Sequence, residues 1–179
     1  PERVPDDVAS WPGPVFALDF TGHGASTLPG GGGYTAEVLI GDADAALQML
    51  GQATLVGRGV GAYVALLISA ARTNQVRGAI LCDGAGLVGG GDRPGPLLVR
   101  GVPGKPLSPD PFALVELASD IRPPDYVVRF AELAAEHSGL KHPISVVARS
   151  RPDWLKAVCD HPGAVEESLP AALERFASA

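Results

Sequence analysis

Four short apolar runs punctuate the chain: residues 14–20 (PVFALDF), 53–57 (ATLVG), 77–83 (RGAILCD) and 143–149 (PISVVAR). In each, Val, Ile, Leu and Ala follow one another without strict alternation, as in strands covered on both faces. They are predicted to form a parallel sheet. Helical patterns fill the intervals. Residues 35–51 begin at a capping threonine, carry Glu37 in the first turn and stop at Gly51. Residues 62–74 (AYVALLISAARTN) are apolar nearly all round, which predicts the most buried helix.

Further helices are expected at 110–119 and 124–137, the second with Val127, Phe130, Ala131 and Ala134 as a packing stripe. Residues 150–161 read as another, with Ser150 as the cap, Pro152 in the first turn and a Pro-Gly stop. A last strand, GAVEES, and a last helix, LPAALERFASA, close the pattern. Strand-helix alternation of this kind implies right-handed crossovers and a layered α/β fold. One domain over residues 1–179 is expected, with 84–140 as an irregular and helical cap-like excursion.

Composition narrows the function classes. With 179 residues, 46% of them hydrophobic, the chain can bury one good core. The net charge of −6, with no Lys/Arg run, leaves no basic surface for phosphates, so neither nucleic acid nor an anionic membrane is an expected partner. No apolar run approaches the ~20 residues of a membrane span. Cys82 and Cys159 sit in apolar contexts at no metal-like or redox spacing and read as free thiols in a reducing compartment. The chain therefore reads as cytoplasmic. No His/Cys/Asp/Glu grouping has metal-ligand spacing, and no metal or cofactor is expected. The run LPGGGGY (28–34) is read as a flexible loop, because no helix starts directly on it.

Three segments carry a family likeness. VFALDFTGHGAST holds an Asp-x-x-Gly-His-Gly-x-Ser pattern at Asp19, Gly22, His23, Gly24 and Ser26; LVGRGVGAYVAL runs from a strand into a helix through Gly57, Gly59 and Gly61; VRGAILCDGAG follows. In order and spacing they resemble the fourth, fifth and sixth strand regions of the α/β-hydrolase-fold superfamily. The likeness covers roughly residues 14–86. It implies that 57–61 is the nucleophile elbow, Gly-x-Ser-x-Gly, with Gly59 standing where the family has serine.

A glycine at the centre of that turn has no hydroxyl to ionise, and no neighbouring base restores one. The resemblance implies an acid after the sixth or seventh strand, for which Asp83 and Asp153 are the candidates. It also implies a histidine after the eighth. His161 is the best candidate for that histidine, although the helix pattern around it places it at a helix C-terminus, where it would complement the dipole. His23 is read as pocket-lining or structural, and His137 and His142 as solvent-facing.

The resemblance further implies a third strand between the fourth and fifth, yet only about a dozen residues precede PVFALDF. Three completions are open: residues upstream of Pro1, another polypeptide, or direct pairing of 14–20 with 53–57. A pocket is expected at the carboxyl ends of the strands, around Gly22, His23, Gly24, Arg58, Val60 and Gly86. A small apolar or ester-like ligand would suit it.

Three readings follow. The first is a hydrolase-fold protein without serine chemistry, kept as a binding or interaction module. The second is a hydrolase of small esters using water or an unrecognised nucleophile, with His161 and Asp83 or Asp153. The third takes Gly57-x-Gly59-x-x-Ala62 as a dinucleotide-binding turn with Asp83 as ribose ligand.

Overall fold

The computed structural model describes residues 6–90 and 108–179. Strands β1 (Ala53–Arg58), β2 (Val76–Cys82), β3 (Ile144–Val146) and β4 (Ala164–Glu166) lie side by side in that order, every pair parallel. β2 explains why its sequence does not alternate. Ala79 and Leu81 pack into one helical layer, while Ile80 and Cys82 pack into the other. Both faces are covered, so both sets of positions are apolar.

Each connection steps one place along the sheet in the same direction. Right-handed crossovers taken in one direction keep their helices on one face. Accordingly α2 (Val60–Ala71), α4 (Pro124–His137) and α5 (Asp153–Cys159) share a core with Ala79, Leu81, Ile144 and Val146. α1 (Ala36–Leu50) and α3 (Pro111–Ser119) extend this layer through Tyr34, Leu39, Val64, Ala113 and Leu117. α2 lies beneath α1 and α4 and against the sheet, and residues 62–69 are all buried. That accounts for its all-round apolar sequence.

The opposite face is covered by α6 (Leu169–Ala177), together with Val8 and Trp11 beside a 3-10 turn at Asp6–Val8. α6 starts cleanly: Ser168 Oγ accepts from the Ala171 N–H at 3.4 Å, and Pro170 occupies the first turn. It approaches closely because β2 contains Gly78, where a Cβ would collide with the Phe176 ring. The described residues thus form an α/β structure with a four-stranded, all-parallel sheet flanked by six α-helices. No helix among them is long and apolar enough to cross a membrane.

Two expectations are corrected. Residues 14–20 form no regular element and join no ladder, and Val15, Phe16 and Leu18 are 38%, 66% and 42% exposed. An apolar run becomes a strand only where a neighbour takes its backbone bonds; β1 is the outermost strand and does not pair with it. The direct pairing of 14–20 with 53–57 is therefore not the completion adopted. Residues 150–152 do not open a helix either. The Ser150 N–H donates to Asp83 at 3.0 Å, and α5 begins at Asp153. Most of the irregular stretch expected over 84–109 lies outside the described residues; its flank α4 is core, with Val127, Ala131 and Ala134 fully buried.

Candidate functional site

β1 passes into α2 through a sharp corner at Gly59, whose φ of +60° and ψ of −123° lie where side chains are strained. Gly57 is required by crowding, since a Cβ there would collide with the Gly61 carbonyl oxygen and lie 2.7 Å from Ala62 Cα. Gly61 is not equally constrained: a Cβ there would meet only Phe20 Cε2, at 3.8 Å. Of the two glycines flanking the corner only Gly57 is tight, because the helix backbone meets the strand there.

The place a central side chain would occupy is filled. A Cβ on Gly59 would collide with the Ala85 carbonyl oxygen and stand 2.7 Å from Gly84 C. That carbonyl accepts the Val60 N–H at 2.9 Å, and the Gly59 N–H donates to Cys82 O at 3.1 Å. The loop after β2 is thereby pressed onto the corner. Two buried side chains hold it there: Trp154 Nε1 donates to Leu87 O at 2.9 Å, and Arg122 Nη1 donates to Leu87 O at 2.6 Å and to Gly86 O. Tyr63 lies between them, its ring 5.4 Å from that of Trp154 and 4.7 Å beneath the Arg122 guanidinium. Burial lowers the Arg122 pKa and pushes the Tyr63 hydroxyl up to about 12.

The other candidates each have partners of their own. Asp83, at the end of β2, accepts the Arg149 and Ser150 N–H groups at 2.7 and 3.0 Å, and these bonds hold its carboxyl below the usual range. Asp153 is exposed at the start of α5 and pairs with Lys156 at 3.0 Å. His161 follows α5 and precedes β4, and its Nδ1 accepts the Gly163 N–H at 3.0 Å. In a parallel sheet this puts His161 at the amino end of β4, whereas Gly59 and Asp83 lie at the carboxyl ends of β1 and β2. The structure brings Gly59, Val60 and Gly86 together, whereas the Asp83 carboxylate is turned to the Arg149 and Ser150 N–H groups and His161 lies at the amino end of the sheet.

The turn around His23 is stitched to itself. Ser26 Oγ donates to Asp19 O at 2.6 Å, the Ala25 N–H donates to Asp19 Oδ2 at 3.0 Å, and His23 Nδ1 lies 3.1 Å from Thr21 O. Gly22 sits against the Tyr34 ring and Gly24 against the Asp19 carboxylate. Arg58 is paired with Asp7 at the surface. Burial raises the thiol pKa values of Cys82 and Cys159, so neither is an activated nucleophile. Among the described residues no group of His, Cys, Asp and Glu is arranged to hold a metal ion.

Sequence reasoning missed the pairs that fix this end of the molecule. Glu116 Oε2 accepts the Gly33 and Tyr34 N–H groups at 2.8 and 2.7 Å, and the Tyr34 hydroxyl donates to Asp110 at 2.7 Å. The glycine run 30–33 is thus anchored at its end. An open cavity of about 420 Å³ lies at the opposite end of the strands, lined by Gln52, Asn74, Arg77 and His137 among others. No family model, curated protein or solved structure matches the chain.

Proposed function

We propose that this chain is a degenerate α/β-hydrolase-like protein that has lost serine-hydrolase chemistry and acts as a binding or interaction module. The observation that carries the reading is Gly59: a strained strand-to-helix corner with neither a side chain nor room for one. Catalysis at such a corner needs a nucleophile, a base within hydrogen-bond reach and oxyanion donors. The hydroxyl is missing, the nearest backbone amides are spent on Cys82 O and Ala85 O, and His161 stands at the other end of the sheet. The same spent amides, with an Asp83 carboxylate already bonded to two backbone N–H groups, weigh against a dinucleotide at this turn.

The test is a fluorophosphonate probe together with turnover of a p-nitrophenyl ester. No covalent labelling and no turnover above buffer are expected. Labelling that disappears on mutating Ser26, or any other serine, overturns the reading, as does a rate removed by His161→Ala.

A further inference from the structure

Among the described residues, two buried side-chain atoms have no hydrogen-bond partner: Asp120 Oδ2 and Arg122 Nε. Both lie in the link between α3 and α4. The backbone is extended there, since Asp120 has a ψ of 123°, Ile121 bridges to Gly90 and Arg122 precedes a proline. Residues two apart in extended backbone share a face. Asp120 and Arg122 therefore turn the same way, and Ile121, 42% exposed, turns to solvent.

The two side chains carry opposite charges, yet these atoms do not bond each other. Arg122, only 5% exposed, commits its Nη groups to the Gly86, Leu87 and Leu117 carbonyls. Gly89 covers its Nε, and a Cβ there would stand 2.9 Å away. Each of the two charges is the strongest acting on the other, and both act on the Tyr63 hydroxyl, whose ring lies 4.7 Å from the guanidinium. A buried carboxylate oxygen and a buried N–H without partners both weaken a fold, and one group bridging them removes both penalties.

The bridge must accept from Nε and donate to Oδ2. An anion accepts but cannot donate, and it is repelled by Asp120 and by Glu37, whose charge reaches both Asp120 and Tyr63. An ammonium donates but cannot accept, and it is repelled by Arg122. A neutral hydroxyl does both through one oxygen and is the smallest group that can. We propose that Asp120 Oδ2 and Arg122 Nε, with Tyr63 beside them, form a binding site for one neutral hydroxyl, either a buried water or the hydroxyl of a small alcohol or sugar. The bound group braces the guanidinium that holds the loop over Gly59, and the site stands whether or not that corner is catalytic.

The measurement is nitrogen-edited NMR of the full chain at the Arg122 Nε–H resonance, assigned by its loss in Arg122→Lys. A dipolar cross-peak from this proton to water is expected. Ethylene glycol and glucose, each at ~100 mM to reach even weak complexes, separate the two sources. A water peak that neither changes marks a buried water, and contacts to the carbon-bound protons of either marks a ligand hydroxyl. Sodium nitrate at the same level is expected to leave the resonance in place in the unmutated chain and to shift it in Asp120→Asn, where the repelling carboxylate is gone.

No dipolar contact of this proton with water, ethylene glycol or glucose overturns the proposal. An equal response of the unmutated chain and Asp120→Asn to nitrate does so too, because the site then takes no account of the carboxylate. Should Asp120→Asn fail to fold, the contacts in the unmutated chain decide alone. None of these outcomes bears on serine labelling or ester turnover, which test the reading of Gly59 separately.

Discussion

The corner at residues 57–61 and the loop at residues 22–33 are both rich in glycine but need it for different reasons. At the corner, the atoms a Cβ would strike belong to backbone: the carbonyl of Gly61 beneath Gly57, and that of Ala85 over Gly59. In the loop, they belong to side chains: the Tyr34 ring at Gly22, the Asp19 carboxylate at Gly24 and Glu116 at Gly32. At Gly30, Gly31 and Gly33 there is nothing within 4 Å. Backbone held in a helix or a pinned loop cannot step aside, whereas a carboxylate can rotate. Glycine density alone therefore does not tell a rigid corner from a tolerant loop.

Substitutions grade this difference. Gly59→Ser combines a positive-φ penalty of about 1–3 kcal/mol with displacement of a pinned carbonyl, and is expected to cost about 4 kcal/mol, a melting-temperature fall of roughly 8–16 °C with no gain of esterase activity. Arg122→Met leaves the carbonyls of Gly86 and Leu87 with fewer donors and should cost about 3 kcal/mol in denaturant unfolding. The double mutant is the sharper measurement. If Arg122 holds the loop against Gly59, freeing it makes the serine cheaper, and the two losses will sum to more than the observed one.

Gly24→Ala should cost about 2 kcal/mol, because the Asp19 carboxylate must move and φ is +55°. Gly31→Ala, at φ +100° in open space, should cost about 1 kcal/mol. Equal losses at Gly24 and Gly59 would break the comparison. The smallest expected effect is electrostatic. Asp83 has a folded pKa held below its unfolded value of about 3.9. Its stabilisation is therefore present above that value and lost as pH falls through the folded one. Asp83→Asn should flatten the acid limb of a stability-versus-pH curve by lowering stability slightly at neutral pH and leaving it little changed below the folded pKa.

What the sequence disclosed follows from the range of each signal. β2, α2 and α6 were legible because burial on one or both faces is written into consecutive residues. The strand-to-helix corner was legible because Gly57 and Gly59 stand at a fixed spacing between two such elements. Residues 14–20 carry the same apolar signature as β2 but lack its neighbours, and no local pattern records a missing neighbour. The closure of the corner was equally hidden. It depends on Ala85 meeting Gly59, and on Arg122 and Trp154 reaching Leu87 across 35 and 67 positions. The Glu116 and Tyr34–Asp110 contacts span 82 and 76 positions and leave no trace in spacing.

The one-directional march of the strands also dictates when the molecule can be finished. Because every crossover helix falls on one side, Ile80 and Cys82 wait for α6, and Val8 meets that helix across most of the chain's length. Contacts of such separation form slowly, since a large loop must close before they repay it. During synthesis the α2 side can assemble while the α6 side of the sheet stays wet and greasy. For that interval Ile80 and Cys82 present bare apolar sheet surface of the kind that drives misassembly until α6 covers it.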